Sequence, residues 1–367
     1  MLALLLLAAG CGGGTEIHRQ GFIDLETKPE QVTLKAGTVV KDFKYIKIET
    51  TNESVIGEIV KIIPSKFGFL ILDASNLLTL FDNDGRFINR IGRRGQGPGE
   101  YIQIGDADIC EETGIVYLLD GGKSEILQYS FENKFLRSIK IDRSVTNFIK
   151  ASFGFICYMD PLLQVRNYGR PAPALAAVDN EGNVLNILQY RTVNLEKFPP
   201  FIHSALMKKY GDRYFYCPPL QDTIFSVYED KIVPEYVLFK GKYSISVEDV
   251  ADLEKRRSAY QRGLVVGNFA VNDRWLFVQC KRNNEMELYF YDLKTKKLLN
   301  LAGKNNLPAM LNDIDGTFDV FPFVFYNSSI IEVKRADAVL EEQNIPDALK
   351  NLAPEDNPVI RISTVIE

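Results

Sequence analysis

The stretch Gly68–Ile91, GFLILDASNLLTLFDNDGRFINRI, contains three short apolar runs separated by two polar turns. The runs are rich in β-branched and aromatic residues and have the length of strands. Between the last two runs, Asn83-Asp84-Gly85 supplies residues that tolerate positive φ, which a tight connection between antiparallel strands requires. The stretch therefore predicts three antiparallel strands in succession.

The same triplet recurs along the chain. Further copies begin at residues 114, 154, 212 and 273, and a fourth, inner strand precedes each triplet. The candidates for this inner strand are Ile56–Ile63, Ile102–Ile109, Thr146–Ala151, Phe201–Met207 and Leu264–Val271. Four antiparallel strands every ~45 to 60 residues are typical of propeller blades, because one such sheet buries its two faces only against neighbouring copies.

The two ends of the chain supply one more blade. Its predicted strands are Phe321–Tyr326, Ser329–Val333, Pro358–Ile366 and, from the N-terminal side, Phe43–Glu49. The sequence thus predicts an all-β domain over residues 22–367, a six-bladed β-propeller of four-stranded antiparallel blades in which N- and C-terminal strands close the last blade. Seven blades are the main alternative, since residues 16–40 could contain further strands.

Two small helical insertions interrupt the strand pattern. One begins with a capping-box-like Ser246–Asp249, runs amphipathically to Arg262 and stops at Gly263. The other spans residues 336–352 and breaks at Pro346, which suits the first turn of a new helix. Both are expected to pack on the surface between strands.

The glycine-rich stretch Ile91–Tyr101, IGRRGQGPGEY, raises the question of a phosphate-binding loop. A dinucleotide-binding loop needs a helix directly after it, and a Walker loop ends in Gly-Lys-Ser/Thr. Here residues 100–109 alternate like a strand, and Pro98 lacks an amide hydrogen that could hold phosphate. The stretch is predicted to be a corner that carries the chain from one blade to the next.

The N-terminal residues MLALLLLAAGCGGG read as an export signal that is too short to span a bilayer. The segment Leu7–Cys11 resembles a bacterial lipobox, although Ala8 stands where the usual pattern has Leu. Residues 1–21 are therefore predicted to be a lipoprotein signal peptide and linker, with lipidation at Cys11. Acyl chains would anchor the protein to the outer membrane, on its periplasmic or surface face, as a cell-envelope lipoprotein.

The net charge of the chain limits the classes of partner that it can bind. A formal net charge of -5 argues against nucleic acid as a partner, because polyanion binding relies on a basic surface.

The cysteines after Cys11 are predicted to be buried free thiols, with disulfides as the alternative, because they lie in or at the ends of apolar runs. They are Cys110, Cys157, Cys217 and Cys280. We expect a monomer.

Three segments resemble one known family. FDNDGRFINRIGRRGQGPGEY at 81–101, PPLQDTIF at 218–225 and EDNPVIRI at 355–362 are similar to segments of NHL-like, six-bladed β-propeller lipoproteins of Bacteroidetes. The resemblance covers residues 20–367. It implies the fold and a location in the envelope, and it implies no activity, because the domain of that family has no known function.

Propellers bind ligands at the mouth of the axial channel. The candidate ligand-binding residues lie on the predicted inner strands and on the long loop 161–170, and they are Asp106, Asp108, Arg166, Tyr168, Arg170, His203 and Asn268. The alternative is that the loop 161–170 is a mobile surface loop without a role in binding. Asp73, Asp120 and Asp222 recur at equivalent turns, which favours turn capping over catalysis.

Two functions remain open at this stage. The first is a membrane-anchored binding protein without catalytic residues, whose partner is a glycan, a peptide or an envelope protein. The second is a metal-dependent propeller hydrolase or lyase with one axial divalent ion, for which Asp106, Asp108, Asn268 and Asp313 are conceivable Ca²⁺ ligands. With only His18 and His203 in the chain, no multi-histidine metal site and no cofactor is expected. A sensor or assembly component of a neighbouring transporter is a third possibility.

Overall fold

Six sheets form the structure, a computed structural model that describes residues 21–141, 143–159, 172–191, 205–246, 249–250, 252–304 and 307–366. Each of blades 1 to 3 is a four-stranded antiparallel sheet whose first strand is innermost. The strands of these blades are β4 (Ile59–Ser65), β5 (Gly68–Asp73), β6 (Leu78–Phe81) and β7 (Phe87–Arg90); β8 (Ile104–Cys110), β9 (Ile115–Asp120), β10 (Glu125–Tyr129) and β11 (Phe135–Lys140); and β12 (Val145–Ala151), β13 (Gly154–Met159), β14 (Ala172–Val178) and β15 (Val184–Arg191).

Blades 4 and 5 follow the same plan, and blade 6 joins the two ends of the chain. In blade 6 the last strand before the C-terminus pairs antiparallel with an N-terminal strand. The strands are β16 (Leu206–Tyr210), β17 (Arg213–Cys217), β18 (Thr223–Val227) and β19 (Ile232–Phe239) in blade 4; β20 (Leu264–Val271), β21 (Trp275–Arg282), β22 (Glu285–Asp292) and β23 (Leu298–Leu301) in blade 5; and β24 (Val324–Tyr326), β25 (Ser329–Lys334), β26 (Val359–Val365) and β3 (Val40–Lys47) in blade 6. The predicted six-bladed propeller with a mixed last blade is confirmed.

The hydrophobic core is divided among the interfaces between blades. Leu80 of blade 1 and Leu118 of blade 2 belong to one buried cluster, and each other pair of adjacent blades has a cluster of its own. A single blade exposes two apolar faces, so it becomes stable only between two neighbours. This is the physical reason why the strand triplets repeat.

Residues 21–39 run along the outer edges of blades 4 and 5. Here β1 (Gly21–Asp24) pairs parallel with β19, and β2 (Gln31–Val32) pairs parallel with β23. Each therefore adds a fifth strand to an existing blade. Residues 21–39 thus extend two existing blades and do not form a seventh one, because their strands are too short to make a sheet of their own.

Helix α1 (Leu253–Arg262) is shorter than the sequence indicates. Its N-cap is Asp252, whose side chain accepts hydrogen bonds from the amides of Glu254 and Lys255, so the helix does not start at Ser246. Ser246 caps helical residues of its own, as predicted: its hydroxyl accepts from the Asp249 amide, its carbonyl accepts from the Val250 amide, and both of these residues are helical. Gly263 ends α1 as predicted.

The second insertion contains helix α2 (Ala336–Leu340) and, after Pro346, a 3-10 turn at Asp347–Leu349. The predicted break at Pro346 is therefore confirmed, although the segment that follows it is only one turn long. Neither helix in the described part of the chain has the length and apolar character needed to cross a membrane.

The glycine-rich stretch forms the corner between β7 and β8. Backbone hydrogen bonds link Gly95 to Tyr101 and Tyr101 to Arg93, and the Glu100 carboxylate accepts from the Gly97 amide at 2.9 Å while it pairs with Arg93. No helix begins at Glu100, because the chain enters β8 a few residues later. The phosphate-loop interpretation is thereby excluded for this stretch.

Candidate functional site

The innermost strands carry one recurrent irregularity near the axis. In four blades the pairing with the second strand skips one residue, between Ile59 and Lys61, Ile104 and Asp106, Val145 and Asn147, and Val266 and Asn268. Such a β-bulge bends the strand and redirects the side chain that follows it. The four residues after the bulges, which we call the post-bulge residues, are Lys61, Asp106, Asn147 and Asn268.

Three post-bulge residues connect their own blade to the next one. The Lys61 ammonium donates to the Ala107 carbonyl at 2.9 Å, and Asp106 accepts from the Phe148 amide at 3.0 Å. In blade 5 the Asn268 amide group donates to the Phe323 carbonyl at 3.4 Å. These bonds join adjacent inner strands around the axis, so these side chains have a structural role.

Asp106 and Asp108 use both carboxylate oxygens. One oxygen of Asp106 accepts from Lys61 at 2.7 Å and from the Ala107 amide at 2.8 Å, while the other accepts from Phe148. Asp108 accepts from the amides of Ile109 and Lys150, both at 2.8 Å. Of the predicted ligand-binding residues, these two are therefore held by backbone amides of blades 2 and 3.

Charges near the axis shift one another's pKa values. Burial acts to lower the pKa of Lys61, but the carboxylates of Asp106 and Asp108 outweigh burial and hold it above its ordinary value. Burial raises the pKa of Asp108, although the Lys61 and Lys209 ammonium groups oppose that effect. Although it lies between two carboxylates, Lys61 keeps 36% of its side-chain surface accessible.

The fourth post-bulge residue, Asn147, forms no such connection. Its side-chain oxygen is buried and has no hydrogen-bond partner. The next inner strand, β16, instead contributes Lys208, which is partly buried and lies 5.9 Å from the centre of the Phe323 ring. Burial and the nearby Lys61 ammonium lower the pKa of Lys208 to about 8.

The structure places some of the remaining candidates and leaves others outside its description. Arg166, Tyr168, Arg170, His203 and Cys11 lie outside the described residues. Asp313 accepts a hydrogen bond from the Gly37 amide at 2.9 Å, which puts it against the N-terminal segment rather than beside the inner-strand residues. The structure thus brings Asp106 and Asp108 together without adding Asp313.

Two of the three recurrent aspartates, Asp73 and Asp120, cap turns as expected. Asp73 accepts from the amides of Gly57 and Leu77, and Asp120 accepts from the amides of Ile102 and Gly122. Asp222 accepts from the hydroxyl of Thr223. Their recurrence reflects the geometry of the repeated turn.

Cysteines and metal-ligand clusters give no further site in the described part of the chain. Cys157, Cys217 and Cys280 are buried free thiols, as predicted, and Cys110 is a free thiol that is only partly buried. Among the described residues, no three His, Cys, Asp or Glu side chains lie close enough to hold a metal ion.

Sequence reasoning did not single out Lys61, Asn147 and Lys208, which lie on the innermost strands. A lysine or asparagine on a half-buried strand is ordinarily solvated, so its type alone carries no signal. An alignment of the inner strands as IVKII, IGDAD, VTNFI and VGNFA would have put all four post-bulge residues in one column. Lys208 would still have been missed, because no bulge precedes it in β16.

The comparisons with known proteins bear on family and fold. A model of the domain of unknown function DUF4934 matches residues 21–364. Among solved structures, the chain is similar to a "putative exported protein" of Bacteroides fragilis, with 17% sequence identity and a TM-score of 0.71 over 94% of this chain and 99% of that chain. It is also similar to a duf4221 family member of Bacteroides vulgatus, with 8% identity and a TM-score of 0.52 over 92% and 99% of the two chains.

At these identities the structural likenesses show the fold alone. No protein among the curated sequences is similar to this chain. The resemblance to propeller proteins of unknown function from Bacteroidetes is confirmed, and the chain belongs to the DUF4934 family, a domain of unknown function.

Proposed function

We propose that this protein is an exported, lipid-anchored propeller that binds a ligand or an envelope partner near its axis without catalysis. The observation that carries the proposal is the state of Asp106 and Asp108. Both carboxylates accept hydrogen bonds from backbone amides on both of their oxygens. A carboxylate whose two oxygens are both held by backbone amides is less free to reorient toward a substrate proton or a metal ion, since two or more of its roughly four lone-pair sites are engaged.

The proposal assigns the envelope as the location. It is supported by the lipobox-like Leu7–Cys11 and by the similarity to a protein described as exported. The outer membrane is the expected attachment site, with Cys11 as the lipidated residue. Expression of the full chain and of Cys11→Ser in a Bacteroides host, followed by membrane fractionation, tests this part. The wild type is expected in the membrane fraction and the variant in the soluble fraction; equal fractionation would contradict lipid anchoring.

The alternative function is a hydrolase or lyase with one axial divalent ion. Thermal unfolding of the purified chain with Ca²⁺ and with EDTA separates the two, because a ligand that binds only the folded state raises the unfolding midpoint. The binding-protein proposal predicts the same midpoint in both conditions. A clear rise with Ca²⁺ that EDTA reverses, and that is lost in Asp106→Asn, would favour the metal-dependent enzyme.

A further inference from the structure

The described chain begins at the outer edge of blade 4. There β1 pairs parallel with β19 along its whole length, and its last residue, Asp24, lies opposite Phe239. Ile23 is buried in the core that blades 4 and 5 share, so it holds β1 against the blade. Because side chains alternate along a strand, Phe22 and Asp24 point to the other side of the sheet.

Two phenylalanines form an exposed apolar surface on this edge, which we call the rim patch. Phe22 is 60% exposed, more than any other aromatic residue in the described part of the chain, and Phe239 is 37% exposed. Their ring centres lie 5.5 Å apart, and the ring planes are tilted by 31°. Singly exposed apolar side chains are common on soluble proteins, whereas contiguous ones are typical of surfaces that bind a partner.

The chain between the rim patch and the proposed lipidation site limits where the membrane lies, and this step rests on the proposed anchor at Cys11. Ten peptide bonds separate Cys11 from Gly21, so the two residues are at most about 36 Å apart in any conformation. A domain of this size has a radius of gyration of about 20 Å and hence a diameter of about 50 Å. An orientation with the outer edge of blade 1 on the bilayer would put Gly21 beyond this reach, because blade 1 is opposite blade 4 in a ring of six.

The rim patch offers apolar rather than charged surface. The Asp24 carboxylate accepts from the amides of Glu26 and Thr27, so it caps its own turn. Lys240, which follows β19, is buried and donates to the Gln221 carbonyl at 2.7 Å. Such a surface suits the interfacial region of a bilayer, where aromatic rings lie at the level of the headgroups.

We propose that the rim patch contacts the bilayer to which the protein is anchored, so that the propeller stands on the outer edge of blade 4. Phe22 and Phe239 then insert among the lipid headgroups, and the axis of the propeller lies along the membrane rather than across it. In this orientation both mouths of the axial channel stay open to a soluble partner.

Tryptophan emission in vesicles with brominated acyl chains tests the proposal, because bromine quenches only indole rings that are close to it. The sample is the acylated protein from membranes of a Bacteroides host, in vesicles of phosphatidylethanolamine and phosphatidylcholine. Phe22→Trp and Phe239→Trp report on the rim patch. Ile88→Trp is the matched control, because Ile88 is 39% exposed on β7, the outermost strand of blade 1. Trp275, the only native tryptophan, is buried and gives the baseline.

Brominated lipid should quench Phe22→Trp and Phe239→Trp, and vesicles should shift their emission to shorter wavelength, while Ile88→Trp keeps its emission. Equal quenching of Phe22→Trp and Ile88→Trp, or quenching of neither, overturns the inference. A short-wavelength emission of Phe22→Trp that is present without vesicles would show that another segment of the chain or a second copy covers the rim patch, and it also overturns the inference.

The mass of the purified protein separates this inference from the proposed anchor. An unacylated mass refutes the anchor at Cys11 and the inference with it. An acylated sample whose rim patch escapes quenching leaves the anchor intact and refutes the orientation alone.

Discussion

At the scale of single residues, buried charges hold blade 6 together. Arg361 is fully buried and donates to Glu332 through two nitrogens, each at 2.9 Å. It also donates to the Phe318 carbonyl at 2.6 Å and lies 3.9 Å from the centre of the Phe318 ring. Glu332 in turn accepts from the Phe321 amide at 2.6 Å. The pair thus fixes the segment that leads into the innermost strand.

Arg361→Met should destabilise the protein by about 3–5 kcal/mol, because it leaves Glu332 buried without a counterion. Denaturant unfolding measures the effect. Arg335→Met is the matched control: its pair with Asp337 is on the surface, with 80% and 42% of the side chains exposed, and its loss should change stability little because water screens the pair. Similar losses in both variants would argue against the buried pair.

Lys208 should make stability depend on pH in the alkaline range. Its pKa is about 8 in the folded protein and 10.5 in an ordinary environment, so between these values the unfolded chain binds more protons. Below pH 8 the charged Lys208 destabilises the folded protein. This lost stability is recovered as the pH rises toward ~10.5. Lys208→Met should be more stable than the wild type at pH 7, and urea unfolding should find this difference shrinking by pH 10. A difference that stays constant would contradict the lowered pKa.

At the scale of elements, the hairpin turns also position neighbouring blades. Gly85 has φ +82°, and a Cβ there would lie 2.4 Å from the Lys47 carbonyl of blade 6. Gly182 has φ +93°, and a Cβ there would lie 2.2 Å from the Lys140 carbonyl of blade 2. Glycine is therefore required at these turns both for the backbone conformation and for contact with the preceding blade.

Gly85→Ala should lower stability more than Gly211→Ala. Gly211 also has a positive φ, of +56°, but has open space where a Cβ would be placed, so it reports backbone strain alone. We expect a loss of about 1 kcal/mol for Gly211→Ala and of about 2–3 kcal/mol or more for Gly85→Ala. Thermal and denaturant unfolding check both. Equal losses would mean that the close approach to Lys47 relaxes without cost.

Much of the strand order could be predicted from the sequence, because alternation and turn residues are local signals. The predicted strand Leu264–Val271 matches β20 in full, and the corner at residues 91–101 was recognised from its glycines and Pro98. By contrast, β1 and β2 are short, and they are stabilised by edges of blades distant in the sequence. The predicted single helix from Ser246 has a further N-cap at Asp252, which the capping-box pattern at Ser246 does not indicate.

The candidate site was predicted less well than the fold. The inner-strand position of Asp106, Asp108 and Asn268 was recognised, but one of the two backbone amides that engage each carboxylate belongs to a neighbouring blade. Which polar groups remain without a partner is a property of the assembled ring. No local pattern reports it, and Lys208 and Asn147 were recognised only from the structure.

At the scale of the whole molecule, both ends of the chain close the ring. Strands β3 and β26 pair from Val359 opposite Lys47 to Val365 opposite Val40. Closure leaves no blade without two neighbours, which removes the exposed apolar face that an open ring would present. The N-terminal segment then continues this contact along the edges of blades 4 and 5.

A disulfide across this closure should stabilise the protein. Asp42 and Thr364 are directly opposed in the antiparallel pair, a spacing that suits a disulfide, so we expect Asp42→Cys/Thr364→Cys to cross-link on oxidation. Because the closed loop spans most of the chain, the unfolding midpoint should rise by several degrees, with an entropic gain of about 4–5 kcal/mol. The reduced double variant is the control. Failure to cross-link would contradict the pairing of the two ends.

The central claim is that the inner strands bring charged side chains of different blades close together, so that burial and neighbouring charges set their pKa values. Its most direct test follows the ¹³Cε resonance of Lys208 through a pH titration of the full chain, assigned by Lys208→Arg, in the wild type and in Lys61→Met. A pKa of about 8 is expected in the wild type and a higher one in Lys61→Met, because the repelling Lys61 ammonium is gone. A pKa near the ordinary value of 10.5 in the wild type, or one that Lys61→Met leaves unchanged, would contradict the claim.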